Sequence, residues 1–236
     1  MKRNSNSVGF SGSAAKGFSL LELMISMCML VLILGAVFEQ INSMQRKSSS
    51  EAMKVDLSQQ AREFVDQTVR DLHMAGYPGK SMYSNPQDLT RVAAGLVRVS
   101  PTEVLLEGDV NNDGNVYSVN IYYVPTDPND SNCPCIRRRA IVKRFPDPLQ
   151  QPVNPYYTET GHVFPPGTGA GQSGEDLFAY YDQNGEPVDI GSGVDVNTIS
   201  KIKTVKINLS LLTNLRDPAT NGFVRTSLAA TARLNQ

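Results

Sequence analysis

Three spacings of hydrophobic residues succeed one another along this chain. Residues 18–38 are an almost unbroken apolar run with a single charge, Glu22, and no proline. A helix of roughly 20 residues spans the ~30 Å hydrocarbon core of a bilayer, so this run predicts a membrane-length helix. Residues 39–75 contain neither proline nor glycine. They place Leu57, Ala61, Phe64, Val65, Thr68, Val69, Leu72 and Ala75 three and four apart, the stripe of an amphipathic helix. Gly76 and Pro78 then supply a stop signal. One continuous helix is predicted, weakest over the polar, serine-rich residues 42–50, where a bend or local unwinding is expected.

From residue 77 the period shortens to two. Strands are predicted over residues 103–107, 116–124, 136–145 and 177–181, with Tyr117, Val119, Ile121 and Tyr123 on one face of the second. Val205, Ile207, Leu209 and Leu211 share a face, as do Val224, Thr226, Leu228, Ala230, Ala232 and Leu234. Strands that follow one another without helices predict an antiparallel sheet, with the amphipathic helix as its cover. The fold class is therefore α+β. Residues 146–176 are rich in Pro, Gly and Tyr without periodicity and predict a long surface loop. No internal repeat is visible.

Glu22 is the informative charge. An acid held mid-bilayer costs about 2.5–3.5 kcal/mol, and no Lys or Arg lies within residues 18–38 to pair with it. A cut between Gly17 and Phe18 would create an amino group about one helical turn from Glu22. A secretory signal peptide does not fit, because the leader is mostly Ser, Gly, Asn and Ala and the apolar run is too long. An uncleaved signal anchor fits the length but leaves Glu22 unexplained.

The segment Gly17-Phe18-Ser19-Leu20-Leu21-Glu22, behind a short basic leader, resembles the processing site of type IV prepilins and type II secretion pseudopilins. The resemblance implies cleavage after Gly17 by a prepilin peptidase and N-methylation of Phe18. It also implies that Glu22 sets register as the helix enters a filament core. Shorter likenesses follow in residues 70–77, 109–114, 178–185 and 232–235, which resemble segments of PilW-like minor pilins. The implied organisation is a leader over 1–17, a transmembrane and filament-core helix over 18–38, its amphipathic continuation over 39–76, and a sheet domain over 77–236. The implied fold is the pilin fold, a long helix packed on an antiparallel sheet. Implied partners are prepilin peptidase, other major and minor pilins, and an inner-membrane assembly platform. The implied role is a minor pilin subunit of a type IV pilus, in assembly or priming, adhesion or motility. Alternatives are a J-like pseudopilin of type II secretion, a DNA-uptake competence pilin and, from another class, a signal-anchored periplasmic enzyme.

Charge sets the topology. The leader's Lys2, Arg3 and Lys16 stay cytoplasmic by the positive-inside rule. That predicts the C-terminal bulk outside the cytoplasm; the resemblance implies a single pass of the inner membrane with this domain in the periplasm, and later on a pilus surface. The whole chain has a formal charge of −1, which gives no general reason to expect nucleic-acid binding. Arg137, Arg138 and Arg139 with Lys143 and Arg144 form the one basic cluster. A DNA-uptake pilin would use it on phosphates beside Tyr122 or Tyr123. The plainer reading is a solvated strand edge, with alternation dividing the arginines between two faces.

Of three cysteines, Cys28 lies in the apolar run and reads as a small hydrophobe. Cys133 and Cys135 flank Pro134, and either a local bridge or two free thiols fits them. Asp109, Asn111 and Asp113, followed by Gly114, begin like a calcium loop. The twelfth position is Asn120 instead of Glu, which favours a plain turn. No other metal site and no cofactor is expected. Two histidines, His73 and His162, and no Gly-x-Ser-x-Gly segment leave no hydrolase signature, so no enzyme is expected.

Overall fold

The computed structural model describes residues 17, 19–83, 88–153, 155–164, 168–169, 172–173, 176–190 and 194–234. It is α+β, one long N-terminal helix and antiparallel sheets. The chain divides into two compact units, residues 1–48 and 49–236. Helix α1, Leu20–His73, contributes to both.

In the first unit every described side chain is exposed. Its most apolar window has a mean hydropathy of 2.5 and no buried residue, and it is long and apolar enough to cross a membrane. Leu20, Leu21 and Leu32 are each about two-thirds exposed or more, as suits side chains whose solvent is lipid. The helical assignment runs through residues 42–50 without interruption, so the unwinding expected there is not present.

In the second unit α1 buries Leu57, Ala61, Phe64, Val65, Thr68 and Leu72, and Ala75 follows. Val69 is only partly buried. Asp71 lies fully buried in the same stripe. Fully burying a side chain such as Phe64 or Leu72 stabilises by about 1.5–3 kcal/mol.

Five strands follow in chain order as one antiparallel sheet: β1 Gly95–Val99, β2 Glu103–Gly108, β3 Tyr117–Val124, β4 Cys135–Val142 and β5 Tyr157–Thr160. Two-residue strands β6, Thr168–Gly169, and β7, Gln172–Ser173, pair with each other. A second antiparallel sheet has the order β10-β9-β8, from β8 Phe178–Tyr181, β9 Thr204–Arg216 and β10 Phe223–Arg233. The short helix α2, Val196–Lys201, precedes β9 and is capped by Asp195, which accepts the Thr198 N–H.

One hydrophobic cluster joins α1 to both sheets, through Leu106, Val119, Ile121 and Ile136 on one and Phe178, Tyr180, Val205 and Ile207 on the other. Residues 162–164 stitch the sheets together. Val163 N–H donates to Pro134 O at 2.8 Å, Phe164 N–H to Ser210 O at 2.8 Å and Leu212 N–H to His162 O at 2.9 Å. Residues 146–176 are thus not one structureless loop, because β5 lies inside them and pairs with β4. The sequence concealed it because Tyr-Thr-Glu-Thr offers no apolar alternation.

The helix stop is a close approach of two backbones. Gly76 adopts φ +83°, and its N–H donates to Glu107 O at 2.9 Å. Ala75 bridges Gly108, where a Cβ would lie 2.2 Å from the Met74 carbonyl oxygen.

The β9–β10 turn is closed by Asp217, whose carboxylate accepts the Ala219 N–H and the Thr220 hydroxyl, both at 2.9 Å. The Ala219 N–H first, then Thr220 and Ser50 of α1, hold this carboxyl below its ordinary value. A depressed folded pKa contributes stability above the ordinary Asp value of about 3.9 and loses it as pH falls through the folded value. Acidification below about pH 4 is therefore expected to loosen this turn. Hydrogen exchange at the Asn221 and Gly222 amides, corrected for intrinsic rate, checks it; equal protection at pH 3 and pH 6 would contradict it.

Candidate functional site: the helix entry and the arginine strand

Gly17 is exposed, with nothing within 4 Å of where a Cβ would stand. Phe18, the residue after the expected cut and the expected methylation position, lies outside the described residues. Glu22 falls in the first turn of α1, where Leu23 N–H donates to Ser19 O at 3.1 Å and the Ser26 hydroxyl to Glu22 O at 2.7 Å. A carboxylate there faces the positive end of the helix dipole. That end is not a full counter-charge, and the next basic residue along the chain is Arg46.

The second cluster surrounds β4, the inner strand between β3 and β5. Its register pairs Ile121 with Arg138, and Tyr122 and Asn120 with Arg137 and Arg139. Arg138 therefore faces α1 together with Ile121, while its two neighbours face the opposite side. Arg138 grips Asp71 of α1 with Nε at 2.9 Å and Nη2 at 3.2 Å, and Gln67 Nε2 adds a third bond to the same carboxylate at 2.9 Å. Burial pushes the Asp71 carboxyl above its ordinary range, against the pull of Arg138.

Arg137 pairs closely with Asp127 and lies 3.7 Å from Asp130. Arg139 is buried, and burial lowers its pKa. The expectation of a solvated strand edge is thus overturned. These side chains are inside a five-stranded sheet and are spent on internal pairs or covered, leaving no row of open guanidinium groups for phosphates. A parallel case is Lys143, which donates to Glu107 at 2.7 Å and to Val92 O at 2.9 Å, anchoring residues 92–94 to the sheet.

Cys133 and Cys135 are joined in a disulfide with Cα atoms 4.2 Å apart. Asp130 has an oxygen near both sulfurs, but bonded sulfurs offer no thiolate to a metal. The bridge sits where Asn132 and Pro134 accept the N–H groups of His162 and Val163 at 2.8 Å, so it closes the corner between the two sheets.

Asp109 accepts the N–H groups of Asp113 at 3.0 Å and Gly114 at 2.9 Å. Asp113 accepts the Asn115 N–H and the Tyr117 hydroxyl, the hydroxyl being the main reason its pKa is lowered. Asn112 and Gly114 supply the positive φ angles, 54° and 83°. This is a closed turn whose carboxylates serve the chain's own donors, with Asn111 exposed.

His73 stands in the last turn of α1. His162, at φ +53°, lines an open polar cleft of about 680 Å³ with Glu63, Asp66, Arg70, Asn132 and Glu159. No hydrogen bond of its ring is seen among the described residues.

These features define a class: a domain with an N-terminal helix long and apolar enough to anchor it in a membrane in a single pass. No family model, curated protein or solved structure gives a significant match to the chain.

The residues that sequence reasoning missed are the buried acids. Asp71 lies on the α1 stripe three residues after Thr68 and four before Ala75, a position that places a carboxylate in the core and calls for a cation. That signal was present. Glu107 gave none, because its face of β2 also carries Glu103 and reads as mixed, although Leu105 on that face is buried too.

Proposed function

We propose that the chain is a minor pilin subunit of a type IV pilus, cleaved after Gly17 and assembled through its N-terminal helix. The observation that carries the reading is Glu22, an acid in the first turn of α1 and the one charge in the apolar, membrane-length run that opens it, five residues after Gly17. The freed Phe18 amine, or the same amine on a neighbouring subunit, neutralises that acid as the helix leaves the bilayer for the filament. The domain after Ser48 faces the periplasm and then the cell surface, where it meets other subunits.

Mass spectrometry of the protein from membranes and sheared filaments tests this. The expected N-terminus is Phe18 carrying one methyl group. A chain that begins at Met1, or is trimmed beyond residue 38, overturns the proposal. Glu22→Ala is expected to leave the chain in the membrane while lowering its filament incorporation by at least about tenfold, a 1.4 kcal/mol deficit. Unchanged incorporation contradicts the role given to Glu22. Co-purification with a secretin-linked pump instead of a filament assigns the subunit to type II secretion.

A further inference from the structure

β10 is the outer strand of its sheet, and among the described residues only β9 pairs with it. Leu234 N–H donates to Lys203 O at 2.8 Å. Alternation in an antiparallel ladder then turns the backbone groups of Ala232, Ala230, Leu228 and Thr226 toward β9. The N–H and C=O groups of Arg233, Thr231, Ala229, Ser227 and Arg225 point the other way, to an edge that no described residue pairs with.

Sheet edges are ordinarily blunted by Pro, Lys, inward-facing charge or shortness. β10 is 11 residues long, has no Pro or Lys, and faces inward with Val224, Thr226, Leu228, Ala230 and Ala232. Its one register irregularity lies at the Phe223–Arg225 end, so the remainder is a regular template for another strand.

Charge selects the strand. β10 contains Arg225 and Arg233 and no acid, and β9 ends on Arg216, in a chain whose net charge is −1. Arg225 rests on the Phe164 ring at 4.2 Å and Arg216 on Phe223 at 5.3 Å, contacts that hold the cations at the sheet without neutralising them. Two copies of β10 paired antiparallel about Ala229 would set Arg225 opposite Arg233 twice, and like charges directly opposite destabilise a sheet.

We propose that β10 is a docking edge for a strand of a different protein, one that carries acidic side chains on the face shared with Arg225 and Arg233. The inference follows from the sheet and stands apart from the pilin reading.

The test uses the full chain in detergent micelles and a labelled Thr–Val repeat peptide with Glu at both ends, spaced to meet Arg225 and Arg233. A peptide with Lys at both ends is the control. Fluorescence anisotropy is expected to show the acidic peptide binding at least about tenfold tighter. Amide exchange should slow at Ser227, Ala229 and Thr231 and stay unchanged at Leu228 and Ala230. Ala229→Pro removes an outward N–H without breaking the β9 ladder and should abolish binding while melting as the parent does. If that variant misfolds, Arg225→Glu with Arg233→Glu serves instead and should reverse the peptide preference. Equal binding of both peptides, no binding at all, or binding indifferent to these changes overturns the proposal. Self-association of the parent chain that Ala229→Pro abolishes overturns it too, in favour of a second copy.

Discussion

Asp71→Ala is expected to lower the unfolding free energy by about 3–5 kcal/mol, the cost of leaving one member of a buried pair alone. Asp71 is fully buried and accepts three bonds, two from Arg138, whose side chain is 17% exposed. Removal strands that guanidinium between helix and sheet. Arg98–Glu103 is the internal comparison. It is shorter, at 2.7 Å, but Arg98 is 52% exposed, and such surface pairs are worth about 0–1 kcal/mol. Burial, not distance, decides the ranking. Urea unfolding followed by tyrosine fluorescence measures both, and a loss under about 1 kcal/mol at Asp71 would remove the argument. Asp71→Leu with Arg138→Met should recover most of the loss, because the charge is then absent on both sides. The pH dependence has a definite sign. A carboxyl whose folded pKa is raised adds stability below its unfolded value, and that contribution is lost as pH rises through the folded value. The stability of the parent relative to Asp71→Asn should therefore rise on acidification, because protonation removes a buried charge while the carboxyl oxygen still accepts from Arg138, effects of the other acids cancelling between the two.

Gly108→Ala should also be costly, by about 1–3 kcal/mol and toward the upper end. The added Cβ would lie 2.2 Å from Met74 O and 2.8 Å from Met74 C, backbone atoms with no rotamer to yield. Moving them disturbs the Gly76-to-Glu107 and Asp109-to-Tyr77 bonds that dock the helix end on β2. Against this stands the gain from a stiffer unfolded chain, about 0.4–1 kcal/mol for Gly→Ala. The collision wins. Thermal melting measures the outcome, and Gly114→Ala is a useful comparison: it has open space but φ +83°, so its cost is backbone strain alone. A Gly108→Ala protein as stable as its parent would mean that the helix end is not held against β2.

Much of the fold was legible because burial on one face imposes a period. The α1 stripe, the odd-numbered face of β3 and the inward positions of β9 and β10 were all read from spacing. β1 and β5 were not. Gly95–Val99 is short, and β5 is largely polar with three of its four residues exposed; each is a strand because a neighbour supplies its hydrogen bonds. The division of the arginines between two faces was foreseen, but the burial of Arg139 and the partial burial of Arg137 and Arg138 in ion pairs were not. Burial depends on which strands lie beside β4, and pairing order is not written in any single strand.

By itself the sequence determined the membrane-length helix with its one acid, the amphipathic continuation and the alternating strands, because these follow from local period and composition. The tertiary structure alone decided that Asp71 meets Arg138, that Glu107 meets Lys143 and that β10, among the described residues, is paired on one side only. Those outcomes depend on residues far apart in the chain, and a side chain's charge says what partner it needs without saying where folding will bring one.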